Sequence, residues 1–171
     1  MLTGTAADDR MNGEGGDDTL VASRGLDRFI GGADIADYSG PGAFVSVSPA
    51  SGFAGGRAGS HAIGDVLRGI ENLRGSVHDD ILSADGGANR LDGGAGADVL
   101  QGYGGADVFA FRAGFGADTV ADFEDGTDPL AFSGHTGRER DRRSDDHRQW
   151  QRMRWQATAP ATASPSWVPP A

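Results

Sequence analysis

Along two stretches of this chain an aspartate or asparagine returns every nine residues, and two positions after each stands a large apolar side chain. One series is Asp80, Asn89, Asp98 and Asp107, followed by Leu82, Leu91, Leu100 and Phe109. The other is Asp9, Asp18 and Asp27, followed by Met11, Leu20 and Phe29. Tyr38 continues the apolar series, while Ala36 takes the Asp position. A fixed short period means a chain made of one small unit stacked on copies of itself, and this limits the fold more than any other signal. The fullest units are "GGAGADVLQ", "GYGGADVFA" and "GEGGDDTLV".

These nonapeptides resemble RTX (hemolysin-type calcium-binding) repeats, as in the C-terminal β-roll of serralysin-like secreted proteins. The resemblance covers residues 3–39 and 64–125, and "DYSG", "GDVLRGIENLRGS" and "GFGADTVADFEDGTD" share the family's style. It implies an all-β protein, a right-handed parallel β-roll (a β-helix or solenoid) in two short blocks, with calcium as cofactor.

The residue types suit that architecture. Each unit divides into a six-residue turn and a three-residue strand. Glycine allows the turn backbones to approach closely. Alternation along the strand sends the middle apolar residue inward. Two units make one coil, so residues eighteen apart stack one strand spacing, ~4.8 Å, from each other. Leu82 is expected on Leu100 and Leu91 on Phe109. The same step puts Asp80 over Asp98, Asn89 over Asp107 and Asp9 over Asp27. Carboxylates that close repel unless a cation lies between them. Oxygen ligands from carboxylates and turn carbonyls match calcium; soft metals would need the Cys and His ligands that are absent or scattered here. The expected ligands are Asp9, Asp18, Asp27, Asp80, Asn89, Asp98 and Asp107, with turn positions Gly13, Gly15, Gly93, Ala95, Gly102 and Gly104.

Composition agrees with a thin core. The chain has 29 Gly and 25 Ala among 171 residues, no Cys and no Lys. Residues 1–136 carry 21 Asp/Glu against 8 Arg, or −13; residues 137–171 carry 4 against 7, or +3. The acidic part repels nucleic acid and anionic membranes. Without a cation such a composition belongs to disordered chains. Metal binding then supplies folding free energy, and the expectation is a chain unfolded without calcium and folded with it.

The register weakens in places. Asp18 should pair with position 36, an alanine, so that site is expected weak or absent. Residues 40–63 form an irregular excursion in which "AFVSVS" alternates like a strand. Asp65/Leu67 and Glu71/Leu73 keep the spacing without the glycine turn and read as coils without calcium; Asp65→Ala is expected to change little. Asp118 follows Asp107 by eleven residues, with Val120 as its apolar partner, and resembles the exit from the roll. "DFEDGTD" lacks the alternation and distal Glu of an EF-hand. From 126 to 171 the chain is atypical and reads as a disordered tail. After Gly137 it has no glycine, yet holds all three Trp and four of seven Pro. That composition fits a shifted reading frame: with suitable codons, Arg142–Trp150 read one base later gives an alternating segment ending in Asn-Gly, and Ala161–Pro170 read one base earlier gives another strand-like segment.

Catalytic signals are missing. His61, His78, His135 and His147 are scattered and no H-E-x-x-H occurs. There is no G-x-S-x-G and no phosphate-binding loop. No apolar run reaches the ~18 residues of a membrane span, and "MLTGTAADD" is not a cleaved signal peptide. The expected role is non-enzymatic: a calcium-binding module, extracellular, with calcium ions and, through the resemblance, a type I secretion machinery as partners, and no nucleic acid. The alternatives are a non-catalytic C-terminal fragment of a larger secreted enzyme such as a serralysin-like metalloprotease, which the start in mid-repeat favours, an adhesive or structural surface repeat, and a nucleic-acid-binding Arg tail.

Overall fold

The computed structural model describes residues 1–40, 42–56 and 60–134. The expectations for 137–171, and for His135 and His147, fall outside the described residues. Among the described residues there is no helix, and thirteen strands belong to one sheet. The chain is an all-β parallel solenoid, as the repeat required.

Pairing follows two lines, one for each face of the coil. The first contains β2 (Arg10–Asn12), the start of β4 (Arg28–Asp37), the start of β7 (Val66–Arg74), β8 (Ile81–Ser83), β10 (Val99–Gln101) and β12 (Thr119–Val120). The second contains β1 (Leu2–Thr3), β3 (Thr19–Val21), the ends of β4 and β7, β9 (Arg90–Asp92), β11 (Val108–Arg112) and β13 (Leu130–Ser133). On the second line the central residues run Leu2, Leu20, Ala36, Leu73, Leu91, Phe109 and Leu130, each paired with the next. On the first, Met11 pairs with Phe29 and Phe29 with Leu67, while Leu82 pairs with Leu100 and Leu100 with Val120. Apart from the exposed Leu2, these side chains meet in one apolar cluster, with Leu130 packed against it. Each fully buried Leu or Phe contributes roughly 1.5–3 kcal/mol relative to exposure.

Three features depart from a plain step of nine. First, the excursion is a β-hairpin, β5 (Val45–Ser48) against β6 (Phe53–Gly56), inserted into the first line between β7 and β8. Val45 and Val47 are buried in the core, as the alternation of "AFVSVS" required. Second, β4 and β7 pair in parallel along most of their length, so the two repeat blocks form one continuous stack. Third, the coil continues beyond residue 125. Phe109 pairs with Leu130, and Asp128 with Leu130 keeps the Asp-x-apolar spacing after a coil of 21 residues instead of eighteen.

Close stacking of turns demands glycine at particular points. Gly96 has φ of +133°, and a Cβ there would lie 2.6 Å from the His78 carbonyl one coil below. Gly96→Ala should therefore destabilise the calcium-loaded chain by ~1–3 kcal/mol from backbone strain alone, read as a lower thermal midpoint. Gly104→Ala, whose added methyl meets nothing within 4 Å, is the control and should change it by a few tenths at most.

Candidate metal sites

The anchor carboxylates line the two lateral sides of the roll at the start of each strand. On one side they follow the order Asp9, Asp27, Asp65, Asp80, Asp98, Asp118. From Asp27 onward, one oxygen of each ties neighbouring coils together by accepting a backbone N–H. Asp9 N–H donates to Asp27 Oδ1 (3.0 Å), Asp27 N–H to Asp65 Oδ1 (2.8 Å), Asp80 N–H to Asp98 Oδ1 (2.8 Å) and Asp98 N–H to Asp118 Oδ1 (3.1 Å). At the hairpin, Val45 N–H takes this role toward Asp80 Oδ1 (2.7 Å). On the other side Asp18 N–H donates to Asp34 Oδ1 (2.8 Å), Asn89 N–H to Asp107 Oδ1 (2.9 Å) and Asp107 N–H to Asp128 Oδ1 (3.0 Å).

Burial makes these groups poor hosts for bare charge. Desolvation raises Asp65 to about 7, with Asp27 adding repulsion. It raises Asp98 to about 6, with Asp80 and Asp79 adding repulsion, and Asp118 to about 8, with Asp98 adding repulsion. Asp80 and Asp107 are also raised, again mainly by burial.

The residues fit a hard divalent cation. Asp34 Oδ2 and Asp98 Oδ2 are buried and have no hydrogen-bond partner. Both occupy cradles that a side chain would fill: a Cβ on Gly93 would collide with Asp98 Oδ2, and one on Gly13 or Gly31 with Asp34 Oδ2. Gly102 is placed likewise against Asp107 Oδ2. Among the described residues no three acidic or histidine side chains converge. The remaining ligands would have to be backbone carbonyls, the donor set calcium accepts.

The structure brings Asp9 with Asp27, Asp80 with Asp98, and Asn89 with Asp107, as the step of eighteen implied. Asp18 corrects the expectation. Its partner is Asp34, sixteen residues on, because register shifts between Ile30 and Ile35 shorten this coil. Ala36 is no anchor; it is an inward core residue paired with Leu20 and Leu73. Asp65, expected to be dispensable, is fully buried and accepts from Asp27 N–H and from the Tyr38 hydroxyl (3.3 Å). Asp128 was not expected as an anchor, although its spacing to Leu130 could have revealed it. Gly13, Gly93 and Gly102 lie beside anchor carboxylates, whereas Gly15 and Gly104 face open space. Ala95 N–H donates to Ser76 O (3.4 Å), holding its turn on the coil below. Asn89 Nδ2 donates to Gly87 O (2.7 Å) and Asp107 Oδ1 (3.3 Å). Outside the ladder, Asp92 is paired with Arg112 (2.6 Å) and Arg74 (3.6 Å), and Arg74 with Asp37 (2.9 Å).

A family model described as RTX calcium-binding nonapeptide repeat (4 copies) matches residues 3–35, 74–109 and 83–120. No curated protein matches the chain. The matched segments contain the Asp18–Asp34 and Asp98–Asp118 stacks and leave out the hairpin and Asp65. Residues 3–35 and 74–120 are therefore RTX calcium-binding nonapeptide repeats.

Proposed function

We propose that this chain is a non-catalytic module that folds by binding calcium outside the cell. The observation carrying this reading is the buried, partnerless Asp98 Oδ2, set against Gly93 in a turn whose other available donors are backbone carbonyls. A bound calcium would supply the positive charge that the stacked carboxylates lack. Extracellular modules hold calcium at about 10⁻⁴–10⁻³ M. Sites of that strength stay empty where free calcium is far lower, so the chain would leave the cell unfolded and fold on arrival. Secretion by a type I machinery agrees with this order of events. Isothermal titration of the chelator-treated chain with CaCl₂ is the test. Saturable calcium binding in that range is expected, with none for MgCl₂, because magnesium demands a regular octahedron and sheds its water reluctantly. Equal binding of the two ions, or binding of neither, would overturn the reading.

A further inference from the structure

Seven turns of this roll divide into two kinds, and the difference lies in the residue four positions before the anchor carboxylate. In the first kind that residue is Thr5, Ser23 or Ser76, and it closes over its own aspartate. Thr5 donates both N–H and Oγ1 to Asp9 Oδ2 (Oγ1 at 2.9 Å), and Ser23 does the same to Asp27 Oδ2 (3.3 and 3.0 Å). Ser76 N–H donates to Asp80 Oδ2 and its hydroxyl to Asp80 Oδ1 (3.0 Å). None of the three has a positive φ.

In the second kind the same position is left-handed: Glu14 at +60° before Asp18, Gly94 at +98° before Asp98, Tyr103 at +66° before Asp107 and Gly114 at +86° before Asp118. At Tyr103 and Glu14 the N–H bonds elsewhere than to the anchor: Tyr103 N–H donates to Asp122 (2.8 Å), and Glu14 N–H to Asn12 (3.4 Å). Glu14 and Tyr103 are the two non-glycine residues with positive φ among the described residues. Such strain persists only where the surroundings enforce it and gathers at binding sites. Asp98 Oδ2, in one of these open turns, is buried with no partner.

We propose that Thr5, Ser23 and Ser76 are built-in substitutes for the cation, so that the turns of Asp9, Asp27 and Asp80 take no calcium and only the open turns do. The hydroxyl and N–H already supply to the carboxylate the positive dipoles that a cation would bring. A cation at Oδ2 would have to break two hydrogen bonds at Asp9 and Asp27 and one at Asp80, whereas at Asp98 it breaks none. On the side of the roll that carries Asp9, Asp27, Asp80 and Asp98, metal-independent turns thus come first and metal-dependent ones last.

This rests on the reading that the open turns bind calcium, and counting bound ions separates the two. The full chain is stripped with chelator, and the calcium bound at saturation is counted by equilibrium dialysis. Asp98→Asn should lose at least one ion relative to the unsubstituted chain. Asp27→Asn and Asp80→Asn should keep the full number. Loss of an ion from either of those overturns the proposal while leaving the calcium function intact. An unsubstituted chain that binds no calcium overturns both. If Asp80→Asn fails to fold, Ser76→Ala serves in its place: it keeps the Ser76 N–H on Asp80 and should lower thermal stability without changing the count. A reduced count would reject the proposal.

Discussion

Chelation of divalent cations at neutral pH should abolish the far-ultraviolet β signal of this chain, and millimolar CaCl₂ should restore it. A ligand that binds only the folded state stabilises it by RT ln(1 + [L]/Kd), ~1.4 kcal/mol per site at ten times Kd and ~2.7 at a hundred times. Three or more open turns would together supply several kcal/mol, the scale of a whole domain's stability of ~5–15 kcal/mol. Removal of the ions also leaves buried carboxylates of two open turns facing one another, Asp98 beneath Asp118. The core is one ladder of single inward side chains along each face and has little reserve to offset this. Circular dichroism before and after EDTA, with magnesium added back as a control, measures the effect. An unchanged β spectrum in chelator would refute metal-coupled folding.

Much of the ladder was legible in the chain because it rests on two local rules. Alternation sends Leu82, Leu91, Leu100 and Phe109 inward, and a constant coil length of eighteen stacks them. The site pairs Asp80–Asp98 and Asn89–Asp107 follow from the same step. What resisted reading breaks one of those rules. The hairpin's alternation announced a strand, but its place between β7 and β8 is a long-range pairing that no local pattern encodes. Asp65 follows a turn without the repeat glycines, and its hydroxyl partner, Tyr38, is 27 residues away. The Thr5, Ser23 and Ser76 contacts are local, a hydroxyl four residues before an aspartate, and were readable in principle. They were hidden because a period search weighs the aspartate and the apolar residue and ignores what precedes them.

The shortened coil at β4 gives the sharpest contrast between two neighbouring positions. A strict nine-residue count makes Ala36 the missing anchor, so that Ala36→Asp should create a calcium site and Asp34 should be incidental. The structure requires the opposite. Ala36 is fully buried between Leu20 and Leu73 in the apolar ladder. An aspartate there must be buried charged or be neutralised, which for a carboxyl of ordinary pKa ~3.9 costs about 4 kcal/mol at pH 7. Ala36→Asp should therefore not reach the folded spectrum even at saturating calcium. Asp34→Ala strips the Asp18 N–H of its acceptor, at ~1–3 kcal/mol if that group stays buried, and removes the partnerless Oδ2 held between Gly13 and Gly31. It should fold only at higher calcium and bind fewer ions at saturation. Calcium titrations of the two variants, followed by circular dichroism and ion counting, decide between the counts. A folded Ala36→Asp with an added ion, beside an Asp34→Ala that matches the unsubstituted chain, would show that the register runs in strict nines and that the shift within β4 is wrong.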